Sequence, residues 1–218
     1  LPATQDNLDY LQRMGMALTG HYALEKSLTL PTACNHLALT GYHNATQVMR
    51  EGDCIRLHLA APPRLLIAGL SNVAIYCADF ACALGFDVIV CECREDVLVN
   101  FAAALKPDVR LEKVFPAKYL EETGCHANTA IVALTHDPRI DDLTLMEAVN
   151  TPAFYIGAMG SQLNSTRRRE RLQNIAQFSP EDFERLHAPV GLNIGSKTPA
   201  EIALAVMADI VKLKNCSA

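Results

Sequence analysis

Three features are missing from this sequence: an excess of positive charge, a long apolar run and a leader-like start. The 19 lysines and arginines are outnumbered by 24 aspartates and glutamates, so the charge gives no reason to expect a nucleic acid partner. Polar residues, glycines and prolines interrupt the apolar runs, so none of them predicts a membrane span. Residues 1–10 contain neither a basic start nor an apolar stretch, so we expect no secretory leader and a soluble, cytoplasmic protein.

Cysteine pairs of the C-x-x-C type are also missing, although the chain contains eight cysteines. Cys91 and Cys93 form a C-x-C pair, which is not the usual spacing of a zinc site. Other cysteines, such as Cys77 and Cys82, lie where we predict the interior of a helix, and free thiols pack there as small apolar side chains. We therefore expect free thiols, a reducing compartment and no metal held by protein side chains.

The composition is that of a folded globule, with 50% hydrophobic and 20% charged residues. Before residue 60 the pattern is weak. Apolar residues at helical spacing predict a helix over 7–18, and the alternation of IRLHL predicts a strand over 55–59. We therefore expect a short, mostly helical amino-terminal extension over residues 1–60 and a larger domain over residues 61–218.

From Arg64 onward, apolar strand segments alternate with helical segments. The strand segments include LLIAG, DVIVCE and TAIVAL, and the last helix begins with a T-P-A-E capping box at Thr198. Nearly continuous apolar strands that alternate with helices indicate a parallel sheet covered on both faces. The predicted fold class is therefore α/β, with a doubly wound, mainly parallel, Rossmann-like sheet.

The segment RLLIAGLSNVA begins like the first strand and phosphate loop of a nucleotide-binding fold. A dinucleotide loop carries glycines at its first, third and sixth positions, which here are Gly69, Ser71 and Ala74. The Ser71 side chain obstructs the approach of a pyrophosphate to the backbone, whereas Ser71 or Asn72 can cap the next helix, whose N–H groups attract an anion. Gly69, Ser71 and Asn72 are therefore candidate cofactor-binding residues, with a plain structural turn as the alternative.

Glu92 follows the second predicted strand and lies 23 residues after Gly69, close to the roughly 20 expected of a ribose-binding acid. An acidic residue at this spacing binds the adenosine ribose in dinucleotide-binding folds and favours NAD over NADP. Glu92 is therefore a candidate cofactor-binding residue, and a solvated carboxylate is the alternative.

The segment THDPRIDD follows the strand TAIVAL. His136 and Asp137 are candidate ligand-binding residues, because a histidine beside a carboxylate can orient or protonate a ligand. Pro138 forces a turn, and we predict that Asp141 or Asp142 caps the helix that follows.

A second glycine-rich segment, GAMGSQ, follows the strand AFYI. Gly157, Gly160 and Ser161 are candidate residues of an anion cradle at a helix start. The arginines 167, 168, 169 and 171 come next, and the helical rotation between residues predicts that at most one or two of them face the crevice. Lys197, before the last helix, is a further candidate for an anion contact.

The four segments GLSN, ECRED, THDPRIDD and GAMGSQ fall at the carboxyl ends of predicted strands, so they should line one rim of the sheet. If Asp137 and Ser161 act on one ligand, the strands that precede them should be sheet neighbours.

In their order along the chain, several segments resemble the carboxyl-terminal Rossmann domain of the XdhC/CoxI family, the xanthine dehydrogenase accessory proteins. The resemblance runs from about residue 61 to residue 214 and is carried by PPRLLIAGLSNVA, LGFDVIVCECRED, THDPRIDDLTL, YIGAMGSQLNSTRRRERL and PVGLNIGSKTPAEIALAVMADIV. It departs from the family in the first loop, where Leu70, Ser71 and Asn72 replace Ala, Gly and His. The family's amino-terminal domain is not recognisable in residues 1–60.

The resemblance implies a chaperone and not a hydroxylase. Such a protein binds the molybdenum cofactor (molybdopterin) and aids its sulfuration and its insertion into a client such as xanthine dehydrogenase. A cysteine desulfurase and a second copy of the chain are candidate further partners. Two alternatives stay open: an NAD(P)-binding oxidoreductase, supported by Gly69 and Glu92 and weakened by Ser71, and a degenerate partner subunit that binds nothing in its crevice.

Overall fold

The computed structural model of the chain describes residues 5–20, 22–30, 34–40 and 48–216. The chain divides into two compact units, with the boundary between Pro62 and Pro63. Each unit has a sheet of its own, antiparallel in the first and parallel in the second. Within the described ranges, no helix is long and apolar enough to cross a membrane.

The first unit contains a helix and a four-stranded antiparallel sheet of order β2-β1-β4-β3. The elements are α1 (Gln5–Leu18), β1 (Ala23–Thr29), β2 (Cys34–Thr40), β3 (Val48–Glu51) and β4 (Cys54–Leu59). Strand β4 confirms the strand predicted over 55–59, but the prediction of a mostly helical extension is wrong. Strands β1 and β2 have seven residues each and β3 has four, and all three mix polar with apolar residues, so pairing with their neighbours stabilises them more than their own sequence pattern does.

The second unit is built on a six-stranded parallel sheet. Its strands are β5 (Arg64–Ala68), β6 (Asp87–Cys91), β7 (Arg110–Glu112), β8 (Thr129–Ala133), β9 (Tyr155–Ala158) and β10 (Leu186–His187). The order β10-β9-β8-β5-β6-β7 reverses direction between β5 and β8, which is the switch point of a Rossmann sheet. The predicted fold class is therefore confirmed for this unit.

Helices cover both faces of the parallel sheet. They are α2 (Asn72–Ala83), α3 (Glu95–Phe101), α4 (Pro116–Thr123), α5 (Pro138–Ala148), α6 (Gln162–Ala176), α7 (Pro180–Glu184) and α8 (Pro199–Cys216). Helices α2 and α8 pack together on one face, and α4 and α5 pack together on the other. Strands β5, β6, β8 and β9 are buried along nearly their whole length, which explains why their sequences are apolar without alternation.

Polar side chains mark the helix starts, as the sequence predicts for α8. Glu201 accepts a hydrogen bond from the Thr198 N–H at 3.0 Å, and its own N–H donates to Oγ1 of Thr198 at 3.3 Å. The capping prediction for α5 is wrong, because the residue that caps it is Asp137, which accepts from the Arg139 N–H at 2.9 Å. Asp141 and Asp142 lie inside the helix.

Two cysteines of the second unit, Cys77 in α2 and Cys91 in β6, are buried in its core. Burial raises the pKa of the Cys77 and Cys91 thiols to about 12, so both are neutral at physiological pH. The seven cysteines whose side chains the structure describes are free thiols.

Candidate functional site

The turn after β5 lies against the turn after β8, and Gly69 is the point of contact. Gly69 has a φ of 95°, in the left-handed region that favours glycine. A Cβ on Gly69 would stand 2.7 Å from Cα of Thr135, closer than real side chains approach a backbone. The glycine is therefore required by the packing of two turns as well as by its own backbone.

Ser71 is the residue that caps α2. Its Oγ accepts a hydrogen bond from the Ala74 N–H at 3.3 Å and donates to the carbonyl oxygen of Leu134 at 3.4 Å. The side chain is buried, whereas Asn72 is exposed as the first residue of the helix. The hydroxyl of Ser71 thus joins the first loop to the end of β8.

Glu92 is 2% exposed, and four donors surround its carboxylate. Oε2 accepts from the Leu70 N–H at 2.9 Å and from Nη2 of Arg94 at 2.7 Å. Oε1 accepts from the N–H and from Nε of Arg94, both at 2.9 Å. A carboxylate has about four acceptor positions, so none is left for a ribose hydroxyl. The structure gives Glu92 the role of supporting the first loop.

Charge and burial act in opposite directions on Glu92. Burial by itself raises the pKa of this carboxyl, but the hydrogen bonds from Arg94 and Leu70 outweigh burial and hold the pKa below its ordinary value. Glu92 is therefore ionised. It accepts the hydrogen bond of the Leu70 N–H, the group that would donate to a pyrophosphate in a dinucleotide loop. Nη1 of Arg94 also donates to the Thr135 carbonyl at 3.3 Å, so a hydrogen bond crosses the switch point from the end of β6 to the end of β8.

In the turn between β8 and α5, His136 and Asp137 do not form the pair that the sequence predicted. His136 is exposed, with a φ of 62°, which is uncommon for a residue other than glycine. The Asp137 carboxylate is paired with Arg139, whose Nη2 lies 3.0 Å from Oδ2, and hydrogen bonds from Arg139 lower the pKa of Asp137. Asp137 therefore forms the turn and does not act as the partner of the histidine.

Of the residues predicted to form an anion cradle after β9, Gly160 and Ser161 lie at the rim of the sheet and Gly157 does not. Strands β8 and β9 are parallel neighbours, as expected for the strands that precede Asp137 and Ser161. Ser161 caps α6, because its Oγ accepts from the Asn164 N–H at 3.2 Å. Gly157, in contrast, is buried within β9, where a Cβ would stand 2.5 Å from Cγ2 of Val190. Gly157 is a packing residue, and the prediction of a rim contact for it is wrong.

Arg168 of α6 donates three hydrogen bonds, two of them to α5. Its Nη2 donates to Oδ2 of Asp141, its Nε to Oδ1 of Asp142 and its Nη1 to the Met159 carbonyl, each at 3.0 Å. Arg168 is 4% exposed and Asp141 is 1% exposed. Burial raises the pKa of Asp141, while hydrogen bonds from Thr135 and the charge of Arg168 act against that rise.

A cleft of about 270 Å³ opens between α5 and α6, at the carboxyl ends of β8 and β9. We call it the arginine cleft. It is lined by His136, Pro138, Asp141, Met159, Gly160, Asn164, Arg167, Arg168 and Arg171. Three arginines line it where at most two were predicted, because residues 167, 168 and 171 span an arc of only about 100° on a helix.

The arginine cleft brings together some of the predicted residues and leaves others apart. His136 and Gly160 line it, and Ser161 starts the helix beside it. Gly69, Ser71 and Asn72 belong to the first loop, and Glu92 supports that loop from the end of β6. Lys197 is exposed before α8, where its N–H donates to Glu201. Asn164 was missed, although its spacing of three, four and seven residues from the arginines places it on their side of the helix.

The second unit matches a family profile described as the XdhC Rossmann domain, over residues 65–210. The chain is 31% identical over 169 residues to the uncharacterised Escherichia coli protein YqeB, a match that covers 70% of this chain and 28% of that protein. It is 31% identical over 153 residues to a protein of Bacillus subtilis named as a probable subunit of xanthine dehydrogenase, covering 70% of this chain and 43% of that protein.

A third relative is the molybdenum cofactor insertion chaperone PaoD of Escherichia coli, which is 29% identical over 115 residues, or 53% of this chain and 35% of PaoD. The chain thus spans less than half the length of each of these relatives. A crystal structure described as a xanthine dehydrogenase from Bacillus halodurans matches all of this chain and 67% of its own, with a TM-score of 0.69 and 21% identity. This match supports the fold.

Proposed function

This chain belongs to the XdhC family through its Rossmann domain, and from that premise we propose that it is an accessory protein of molybdenum hydroxylases. The domain would hold the molybdenum cofactor in the arginine cleft and pass it to a client of the xanthine dehydrogenase type. The names of two relatives support the proposal, since one is a probable subunit of xanthine dehydrogenase and the other is a molybdenum cofactor insertion chaperone.

The arginine cleft is the observation that carries this proposal. The cofactor is a pterin that bears a phosphate, so its site must offer donors and positive charge. Three arginines line the cleft, two of them paired with Asp141 and Asp142, and the start of α6 beside it adds backbone N–H groups that favour an anion. This set of donors fits the organic part of the cofactor. The bound cofactor would supply the molybdenum centre on which the client depends.

Seven of the candidate residues have a defined part in this proposal. The N–H groups that follow Gly160 and Ser161 would hold the phosphate, and His136 would orient the ligand at the mouth of the cleft. Asp137 would keep the turn of His136 in place. Gly69, Ser71 and Glu92 would act at a distance, by keeping the neighbouring turns together.

The arrangement of the first loop weighs against an NAD(P)-binding oxidoreductase. The Leu70 N–H already donates to Glu92, and Ser71 places a buried side chain where a dinucleotide loop has bare backbone. A cleft that binds no cofactor at all would instead support the degenerate partner subunit.

Two further partners follow from the same proposal. Sulfuration of the cofactor would require a cysteine desulfurase, which should co-elute with the cofactor-loaded protein. A second copy of the chain is the other candidate, and light scattering of the purified protein tests it.

The proposal is tested by replacing His136. We expect His136→Ala to weaken binding of isolated molybdenum cofactor and activation of the client, with an unchanged melting temperature, because His136 is exposed and contributes little to the core. Cofactor retained on gel filtration is the direct measurement. The matched control is Lys197→Ala, which removes an exposed residue outside the cleft. Equal retention by wild type and His136→Ala would leave the cleft without its proposed role.

A further inference from the structure

We propose that Arg167 is the residue that pairs with the phosphate of the bound cofactor, so that the anion subsite lies beside α6 and not in the first loop. This inference rests on the proposed function, because it names the group that holds the ligand in the same cleft. It follows from how the charges of the cleft are already shared among its own residues.

Arg168 and Arg171 are committed to carboxylates. Nη2 and Nε of Arg168 donate to Asp141 and Asp142, both at 3.0 Å, and Nε of Arg171 donates to Asp142 at 2.7 Å. With Arg168 4% exposed, its guanidinium is a structural anchor between the two helices. If Arg168 turned toward a ligand, the buried Asp141 would lose its arginine partner, which is costly. Arg171 instead shares Asp142 with Arg168.

Arg167 is different. It is exposed, it lines the same cleft, and within the described residues its side chain has no carboxylate partner. Three arginines meet two aspartates here, so the cleft keeps one positive charge, and that charge is on Arg167. A guanidinium binds a phosphate through two parallel hydrogen bonds, which makes arginine the side chain of choice for this ligand.

The start of α6, beside the cleft that Arg167 lines, also suits an anion. Asn164 lies one turn before it on α6, and Oγ of Ser161 caps the start of that helix. Ser165 is 1% exposed, and its Oγ has no hydrogen-bond partner in the described part of the chain, which indicates a donor in need of an acceptor. That hydroxyl lies beneath Gly160, 3.8 Å from the point where a Cβ on this glycine would stand. A side chain at position 160 would therefore cover the space beside the hydroxyl and beside Nη1 of Arg168, 3.7 Å from the same point.

The donors at the first loop are already used in hydrogen bonds within the protein. Its Leu70 N–H donates to Glu92, the buried hydroxyl of Ser71 has an acceptor and a donor, and the Arg94 guanidinium is paired with Glu92. In a dinucleotide loop such donors bind the phosphates of the ligand, whereas here they form hydrogen bonds within the protein. The free donors lie two strands away, beside β9.

The test is titration of the whole protein with inorganic phosphate and, separately, with isolated molybdenum cofactor, by calorimetry. We expect Arg167→Ala to weaken both affinities by about tenfold or more, since a hydrogen bond between charged groups is worth at least that factor. Arg167→Lys should keep part of the affinity, because lysine keeps the positive charge but cannot make the two parallel hydrogen bonds of a guanidinium. Arg169→Ala is the matched control: it removes the same charge from the same helix at a residue that lies over the Phe183 ring.

The outcomes separate this inference from the proposed function. Equal losses in Arg167→Ala and Arg169→Ala would reduce the effect to overall charge and overturn the inference. Cofactor bound equally by wild type and Arg167→Ala would do the same while leaving the proposed function intact. Phosphate binding that depends on Arg167, in a protein that binds no cofactor, would uphold the anion subsite and reject the proposed function. Ser165→Ala is expected to weaken phosphate binding without lowering the melting temperature of the ligand-free protein, because the hydroxyl has no partner to lose.

Discussion

At the scale of single residues, one carboxylate accounts for the shape of the first loop. Glu92 lies where a ribose-binding acid is expected, yet its oxygens accept hydrogen bonds from Leu70 and Arg94. Its partner Arg94 also donates a hydrogen bond to the Thr135 carbonyl. The Glu92–Arg94 ion pair therefore joins the ends of β6, β5 and β8. The chemistry typical of ligand recognition is used here for internal support.

Glu92→Gln should destabilise the protein by about 2–4 kcal/mol, because buried donors lose a charged acceptor. The pKa of Glu92 is lowered in the folded protein, so its stabilisation is complete above the ordinary glutamate value and is lost as pH falls through the folded value. Glu92→Gln should therefore be less sensitive to acid than wild type. Urea unfolding at neutral pH and near pH ~4 measures both effects. The exposed Glu95→Gln is the control, and equal stability of the two variants at neutral pH would contradict this role.

At the scale of elements, two turns and two helices define the rim. The β5–α2 turn is in contact with the β8–α5 turn through Gly69 and Thr135, and α6 is tied to α5 through Arg168. Thr135 belongs to both connections, because its Oγ1 lies 2.6 Å from Oδ1 of Asp141. The first loop and the arginine cleft are therefore coupled by a short chain of direct contacts.

Gly69→Ala should destabilise the protein by about 2–4 kcal/mol more than Gly85→Ala does. Both glycines have a positive φ, 95° and 79°, so both variants strain the backbone. Only the new Cβ at position 69 meets another turn, since nothing lies within 4 Å of one at position 85. Chemical denaturation of the two variants isolates the cost of that contact. Similar losses would show that the turns can separate freely.

At the scale of the whole molecule, the binding region is displaced along the rim of the sheet. In a Rossmann fold the ligand crevice opens at the switch point, which here lies between β5 and β8. That crevice is narrowed by Gly69 against Thr135 and bridged by Ser71 and Arg94, while the arginine cleft opens one strand further, at β8 and β9.

NAD should therefore bind weakly, and Ser71→Gly should not restore binding. The serine side chain is one obstacle, but the Leu70 N–H stays occupied by Glu92 after the serine is removed. Calorimetry with NAD and NADH on wild type and on Ser71→Gly provides the measurement. Micromolar binding by either protein would contradict the assignment of Glu92 as a support, and NAD binding gained only in Ser71→Gly would identify the serine as the sole obstacle.

Most strands and helices of the second unit could be predicted from the residues, because they depend on local signals, but the short β10 was not predicted. Apolar runs, capping residues such as Thr198 and turn glycines act within a few positions, and they are sufficient to indicate a parallel α/β sheet. Strands β1, β2 and β3 of the first unit were missed because they mix polar with apolar residues and depend on pairing with other strands, which for β1 and β4 are distant in the sequence.

The sequence also indicated that polar segments meet at one rim, and it identified His136, Gly160 and Ser161 near the cleft. It could not separate ligand-binding residues from supporting ones, since that depends on which donor reaches which acceptor. Glu92 is engaged by Leu70, and Arg168 by Asp141, across more than 20 positions of the chain. Such pairings form only when strands are placed side by side, and they leave Arg167 as the unpaired arginine among the described residues of the cleft.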